Sequence, residues 1–274
     1  MKTTTGHAVL NGTRLYYEVA GSGPAVVLVH GFSLDTRMWD AQFEAFARKH
    51  TVIRYDVRGF GRSDMPGIPY SNADDLKALL DHLKIKRAAV CGLSMGGTIA
   101  TEFTVTHPER VSAFIPVDAA EGSLLSKHDA AGRARWARFM RTLAPIWQTA
   151  REEGVEAARK AWLDCDLFAP ERELPAVKRD LEVIVGDYSG WHWVNPSPYL
   201  PFKPDPSERY DEIKAPALIV VGERDLPPFH TIARTMAAGI KGAKLKVLPG
   251  AGHMSNMDAP ELFNRTVLDF LAGV

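Results

Sequence analysis

The chain opens with two stretches of alternating apolar and polar residues, His7–Leu10 and Arg14–Ala20, on either side of Asn11-Gly12. Alternation of period two around an Asn-Gly pair predicts a β-hairpin. Gly21-Ser22-Gly23-Pro24 ends it, and Ala25-Val26-Val27-Leu28-Val29-His30 follows as an almost unbroken apolar run. Such a run suits a strand buried on both faces of a parallel sheet. The spacing then becomes helical over Met38–His50, before a strand over Thr51–Val57. Ala73–Leu83 predicts a helix capped by Asn72, Arg87–Cys91 a strand, Met95–His107 a helix and Val111–Val117 a strand. Strands separated by helices of this length imply βαβ units and a mainly parallel sheet.

The rhythm stops after Ala119. Helical spacing recurs around Arg133–Thr142 and Val155–Trp162, with no buried strand between, and a Pro-rich stretch spans Trp191–Pro201. Strand and helix resume at Ala217–Val221, Thr231–Ile240, Leu245–Leu248 and Pro260–Leu271. The fold class is therefore α/β. A mostly parallel central sheet flanked by helices is expected from residues 1–120 and 210–274, interrupted by a helical cap or lid over 121–209.

Composition narrows the function classes. Apolar residues make up 46% and charged residues 24%, an ordinary balance for a globular chain that buries a core without disulfides or metal. The 33 basic and 33 acidic residues cancel and form no basic stripe, so neither nucleic acid nor an anionic membrane is an expected partner. No apolar run approaches the roughly 20 residues of a membrane span, and Met1–His7 lacks a secretory core, which predicts a cytoplasmic protein. Cys91 and Cys165 match neither a disulfide framework nor a metal site.

Candidate chemistry sits at strand ends. Gly92-Leu93-Ser94-Met95-Gly96 is a G-x-S-x-G sequence between a buried strand and a helix. That turn lifts the serine hydroxyl above the sheet edge and leaves a helix N-terminus behind it. The plainer reading is a serine capping an ordinary helix. A serine nucleophile needs a base oriented by a third group. His253, in Gly250-Ala251-Gly252-His253, follows the last strand; Asp225, in Gly222-Glu223-Arg224-Asp225, precedes it by one helix and one strand. Both belong at the carboxyl edge of the sheet, where open α/β sheets place their sites. Asp118, after the strand Val111–Val117, is an alternative acid. His30-Gly31-Phe32 ends the central strand, so the backbone N–H groups of Phe32 and Met95 are candidates for an oxyanion hole, with His30 bracing the loop. The Asp56–Asp64 turn reads as charge-braced and structural.

Taken together and in this order, these motifs resemble the α/β-hydrolase superfamily over almost the whole chain outside the insertion. The resemblance implies the α/β-hydrolase fold and a Ser94–Asp225–His253 triad. It also implies acyl transfer through an acyl-enzyme on Ser94, with no metal and no organic cofactor. Arg37-Met38-Trp39-Asp40 looks most like the esterase and enol-lactonase branch. Relatives that open epoxides or remove halides carry Asp where Ser94 stands, so those activities are not expected. The expected substrate is a small to medium, largely apolar ester or lactone. The alternatives are a serine-dependent C–C hydrolase or perhydrolase, or a receptor that keeps the fold to bind a ligand. Trp136, Phe139 and Trp191 are candidate pocket walls, and Arg37 and His192 candidate contacts to a substrate carboxylate.

Overall fold

The computed structural model describes residues 2–120, 130–200, 202–203 and 206–274. Positions 121–129 at the start of the expected insertion, and 201, 204 and 205 near its end, lie outside the described residues. Eight strands form one sheet: β1 (Thr3–Leu10), β2 (Thr13–Gly21), β3 (Ala25–Val29), β4 (Thr51–Tyr55), β5 (Ala88–Leu93), β6 (Val111–Val117), β7 (Leu218–Gly222) and β8 (Lys244–Leu248). Their spatial order is β1-β2-β4-β3-β5-β6-β7-β8. β2 runs antiparallel to both β1 and β4, and every other pairing is parallel. The expected architecture, a mostly parallel sheet flanked by helices, is the observed one.

The apolar runs explain the middle of the sheet. Val26–Val29, all of β5 and most of β6 are buried, because helices cover both faces. These helices are α1 (Asp40–Phe46), α2 (Asn72–His82), α3 (Met95–Thr106) and, beyond the insertion, α8 (Pro227–Gly239) and α10 (Pro260–Leu271). The hairpin turns at Asn11-Gly12, both at positive φ (46° and 69°), as the Asn-Gly pair requires.

Between β6 and β7 the described residues form α4 (Ala130–Glu152), α5 (Val155–Asp164), α6 (Pro175–Asp187) and the single turn α7 (Trp191–Val194). α4 runs through Pro145, well past the expected end at Thr142. Burial of Leu143, Ile146 and Ala150 holds the helix together on both sides of the proline. α6 has no counterpart among the expected elements; it starts at a proline, whose fixed φ suits a first helical turn. The first expected helix is shorter than its apolar spacing: a 3-10 turn over Thr36–Trp39 precedes α1, and the chain leaves the helix at Ala47 to enter β4. The insertion is tied back to the core at Tyr70, which bridges Tyr199.

Candidate active site

Ser94 occupies the turn between β5 and α3 with φ 54° and ψ −115°, a conformation costly for a residue with a side chain. Ser94 donates its backbone N–H to Val117 O (2.9 Å), and its carbonyl accepts from Gly97, Thr98 and Ala120. The strained turn is thus over-determined by its neighbours. It also needs glycine on both flanks: a Cβ on Gly92 would fall 2.0 Å from Gly96 O, and one on Gly96 2.1 Å from Val29 O. The hydroxyl makes no capping bond to α3, so Ser94 is not positioned as a helix cap.

His253 and Asp225 meet as the order of strands requires. His253 Nδ1–H donates to Asp225 Oδ2 at 3.0 Å, and both side chains are buried. Asp225 Oδ1 also accepts the Leu226 N–H at 2.7 Å, which fixes the carboxylate. The other imidazole nitrogen, Nε2, is buried and has no hydrogen-bond partner among the described residues. It is not bonded to the Ser94 hydroxyl here; nucleophile–base bonds often close only around a substrate. Burial holds the His253 pKa below the ordinary histidine value, against the pull of Asp118 and Glu171.

Asp118 lies beside this pair without touching the imidazole. Its Oδ1 accepts Gly222 N–H (2.7 Å) and its Oδ2 accepts the Ser255 hydroxyl (2.5 Å). Burial and the neighbouring Asp225 push the Asp118 carboxyl well above the usual range. Burial pushes the Asp225 carboxyl well above the usual range too, so the two acids titrate as a coupled pair, of which Asp225 is the member that receives the imidazole N–H.

The opposite wall is the loop after β3. His30 is fully buried: its Nδ1–H donates to Gly31 O (2.8 Å) and its Nε2 accepts from Val57 N–H (2.9 Å). This histidine is a neutral brace between two loops. Phe32 follows, and its N–H donates to none of the described residues; Met95 opens α3, so its N–H has no carbonyl one turn back. The Asp56–Asp64 turn is braced as its charges indicated. Asp56 accepts the N–H groups of Thr36 and Arg62 (both 2.8 Å), and Arg58 grips Asp75 through two bonds of 2.8 Å.

A cavity of ≈ 300 Å³ lies against Phe32 and Met95, walled by Phe60, Tyr70, Ile99, His192 and Tyr199 among others. The larger surface grooves, of ≈ 520, ≈ 500 and ≈ 410 Å³, lie elsewhere, and of these walls only Tyr70 also borders one of them, the ≈ 520 Å³ groove. His192 lines the cavity stacked on Phe60 (4.4 Å between centroids). The Tyr188 hydroxyl accepts the His192 backbone N–H and donates to Nδ1, and burial lowers the ring's pKa to about 4. The ring is therefore uncharged at neutral pH.

The remaining candidates lie further out. Arg37 is engaged by Asp35 (2.6 Å) and by Asp187 of α6 (2.8 Å), and lines a different groove. Its charge joins the loop after β3 to the insertion. Trp136 and Phe139 pack on Phe229, whose ring lies 4.3 Å from that of His253. Trp191 packs edge-on to His192. Phe229, Phe60 and Tyr188 gave no sequence signal, because a single aromatic at a loop or helix start is indistinguishable from core. Among the described residues no group of His, Cys, Asp and Glu side chains is arranged to hold a metal ion, and no helix is long and apolar enough to cross a membrane.

Comparison with known proteins shows the family to which the chain belongs. The chain is 31% identical over 251 residues to 3-oxoadipate enol-lactonase 2 of Acinetobacter baylyi, covering 89% of this chain and 87% of that protein. It is 28% identical over 290 residues to a putative 2-succinyl-6-hydroxy-2,4-cyclohexadiene-1-carboxylate synthase of Bacillus subtilis, with 99% of each covered. Among solved structures, the enol-lactonase of Burkholderia xenovorans LB400 superposes with a TM-score of 0.78 at 28% identity, over 97% of this chain and 100% of that one. The model of the alpha/beta hydrolase family matches residues 26–266, and the chain belongs to that family.

Proposed function

We propose that this protein hydrolyses a small to medium, uncharged and largely apolar carboxylic ester or lactone through an acyl-enzyme on Ser94. The observation that carries this reading is the strained Ser94, whose neighbour Met95 lines a cavity with described walls that are mostly apolar and hold no lysine or arginine. His192, the one wall residue able to become a cation near neutral pH, stays neutral. A substrate carboxylate would enter that cavity without a counter-charge, at a cost of several kcal/mol. The names of the relatives, enol-lactonases among them, supply the ester and lactone chemistry; the cavity favours uncharged members of that class.

In the proposed mechanism His253 Nε2 takes the Ser94 proton as Oγ attacks the carbonyl carbon. Asp225 holds the tautomer that leaves Nε2 free and stabilises the imidazolium. The tetrahedral oxyanion is met by the N–H groups of Phe32 and Met95, at the positive end of α3. The imidazolium then protonates the leaving alkoxide. Water, deprotonated by His253, attacks the acyl-enzyme and releases the acid. Residues 121–209 act as the lid, with the described Phe60, Tyr188 and His192 excluding water beside it.

The test is hydrolysis of a p-nitrophenyl ester series from acetate to decanoate, with a monoester of a dicarboxylic acid alongside. Turnover of the neutral esters with an optimum at short to medium chains is expected, and the carboxylate-bearing ester should be at least about tenfold poorer in kcat/KM. Preference for the charged ester would overturn the neutral-substrate reading. Ligand binding without turnover of any ester would favour a receptor.

A further inference from the structure

The two peptide N–H groups that flank His253 are each held by a carboxyl group, one buried and one half-buried, and the two carboxyls come from different parts of the molecule. Gly252 N–H donates to Asp258 Oδ2 at 2.6 Å, and Met254 N–H donates to Glu171 Oε1 at 2.9 Å. Asp258 ends the short helix α9 (Ser255–Asp258), directly after the histidine loop. Glu171 belongs to the insertion, in the 3-10 turn Glu171–Glu173, yet is only 1% exposed. The contact leaves no slack. A Cβ on Gly252 would fall 2.6 Å from Glu171 Oε1 and 2.7 Å from Pro170, so the insertion presses directly on the loop that carries His253.

The second oxygens, Glu171 Oε2 and Asp258 Oδ1, are buried and receive no N–H or hydroxyl donor from the described residues. Among the described residues no cation answers them either. Arg172 is spent on the carbonyls of Leu163 and Cys165, and Arg224 on Glu173. The titratable groups that face the pair are Asp118 at the end of β6, Asp225 after β7 and His253 itself, two of them further acids. Two ionised carboxylates in such a place would be strongly unfavourable, whereas one proton shared between them satisfies both orphaned oxygens. The two side chains lie within hydrogen-bonding reach of each other.

We propose that Glu171 and Asp258 are positioning residues that share one proton, and that this acid–carboxylate pair clamps the His253 loop to the insertion. The proposal rests on His253 being the general base. Burial first, and Glu171 second, raise the Asp258 pKa to about 8, so the clamp is closed at neutral pH and opens as the pair becomes doubly charged. The sign for stability follows. Between the ordinary carboxyl value of 3.8 and about 8 the folded protein keeps a proton that the unfolded chain has lost. Stability therefore falls as pH rises through that window and levels off above it.

The experiment compares wild type, Asp258→Asn and Glu171→Gln, each amide being able to donate permanently to its partner while its carbonyl still accepts the peptide N–H. Melting temperature from pH 5 to 9.5 reads the shared proton without any substrate. Relative to wild type, the gain of Asp258→Asn should widen by roughly 5 °C between pH 5 and 8 and then stay constant. In parallel, kcat for a neutral ester should fall about tenfold above pH 8 in wild type, with KM little changed, and stay level in both variants. Superimposable melting profiles in both variants would overturn the shared proton. Altered melting profiles with an unchanged alkaline limb of kcat would overturn the positioning role. Absence of turnover in wild type would count against the hydrolytic reading alone, and the melting profiles would still decide the shared proton.

Discussion

At the scale of single residues, the candidate site is a set of polar groups whose environments leave each of them one option. His253 Nδ1 is taken by Asp225, so only Nε2 remains to accept a proton, and nothing among the described residues occupies it. Ser94→Ala and His253→Ala should each lower kcat by about 10⁶-fold with the melting temperature nearly unchanged, and Asp225→Asn by about 10⁴-fold. Near-normal turnover in Asp225→Asn with a dead Asp118→Asn would reassign the acid. Because burial lowers the His253 pKa and the base must be neutral, activity should persist on the acid side: the acid limb of kcat/KM should have its midpoint below 6.5, the ordinary histidine value. A midpoint above 6.5 would mean that the surrounding carboxylates outweigh burial. Ser94, Asp225 and His253 were legible in the sequence because each follows a strand that could be recognised by its apolar run. Glu171 was not, since a glutamate in a Pro-Glu-Arg-Glu stretch reads as solvent-exposed until the fold buries it.

At the scale of elements, the elbow between β5 and α3 depends on close backbone approach more than on side-chain packing. Gly96→Ala would place a methyl 2.1 Å from Val29 O, an overlap that no rotamer relieves. Its expected cost is about 3 kcal/mol or more in denaturant unfolding, with loss of turnover; a variant of wild-type stability would show that the β3–α3 contact is looser than described. The Arg37 bridge makes the contrasting case. It joins the 3-10 turn at Thr36–Trp39 to α6 through Asp35 and Asp187, so Arg37→Met should lower stability by about 1–2 kcal/mol while leaving KM for neutral esters within about twofold. A large rise in KM would return Arg37 to the substrate. Period and turn chemistry made every strand of the sheet legible, with ends that differ by up to four residues, as at β1, which begins at Thr3 and not at His7. The insertion was less so: α4 outlasts its apolar spacing through Pro145, and α6 was missed, because both owe their stability to tertiary burial of one face.

At the scale of the whole molecule, the hydrolytic core and the insertion meet around Phe32. Its ring contacts Phe60 on one side and Trp147, Trp162, Tyr188 and His192 from the insertion on the other. The residue proposed to offer an oxyanion donor is therefore also the one on which the insertion rests. Substrate preference should accordingly follow changes in the insertion, and the chemistry should not. The assignment of Ser94 as the nucleophile of this alpha/beta hydrolase is tested most directly by covalent labelling. Wild type, Ser94→Ala and His253→Ala would be treated with a neutral alkyl fluorophosphonate, followed by intact mass measurement and peptide mapping. A single adduct on the peptide containing Ser94 is expected in wild type, with none in Ser94→Ala and at most a trace in His253→Ala. An adduct on another residue, or esterase turnover by wild type that survives in Ser94→Ala, would contradict it.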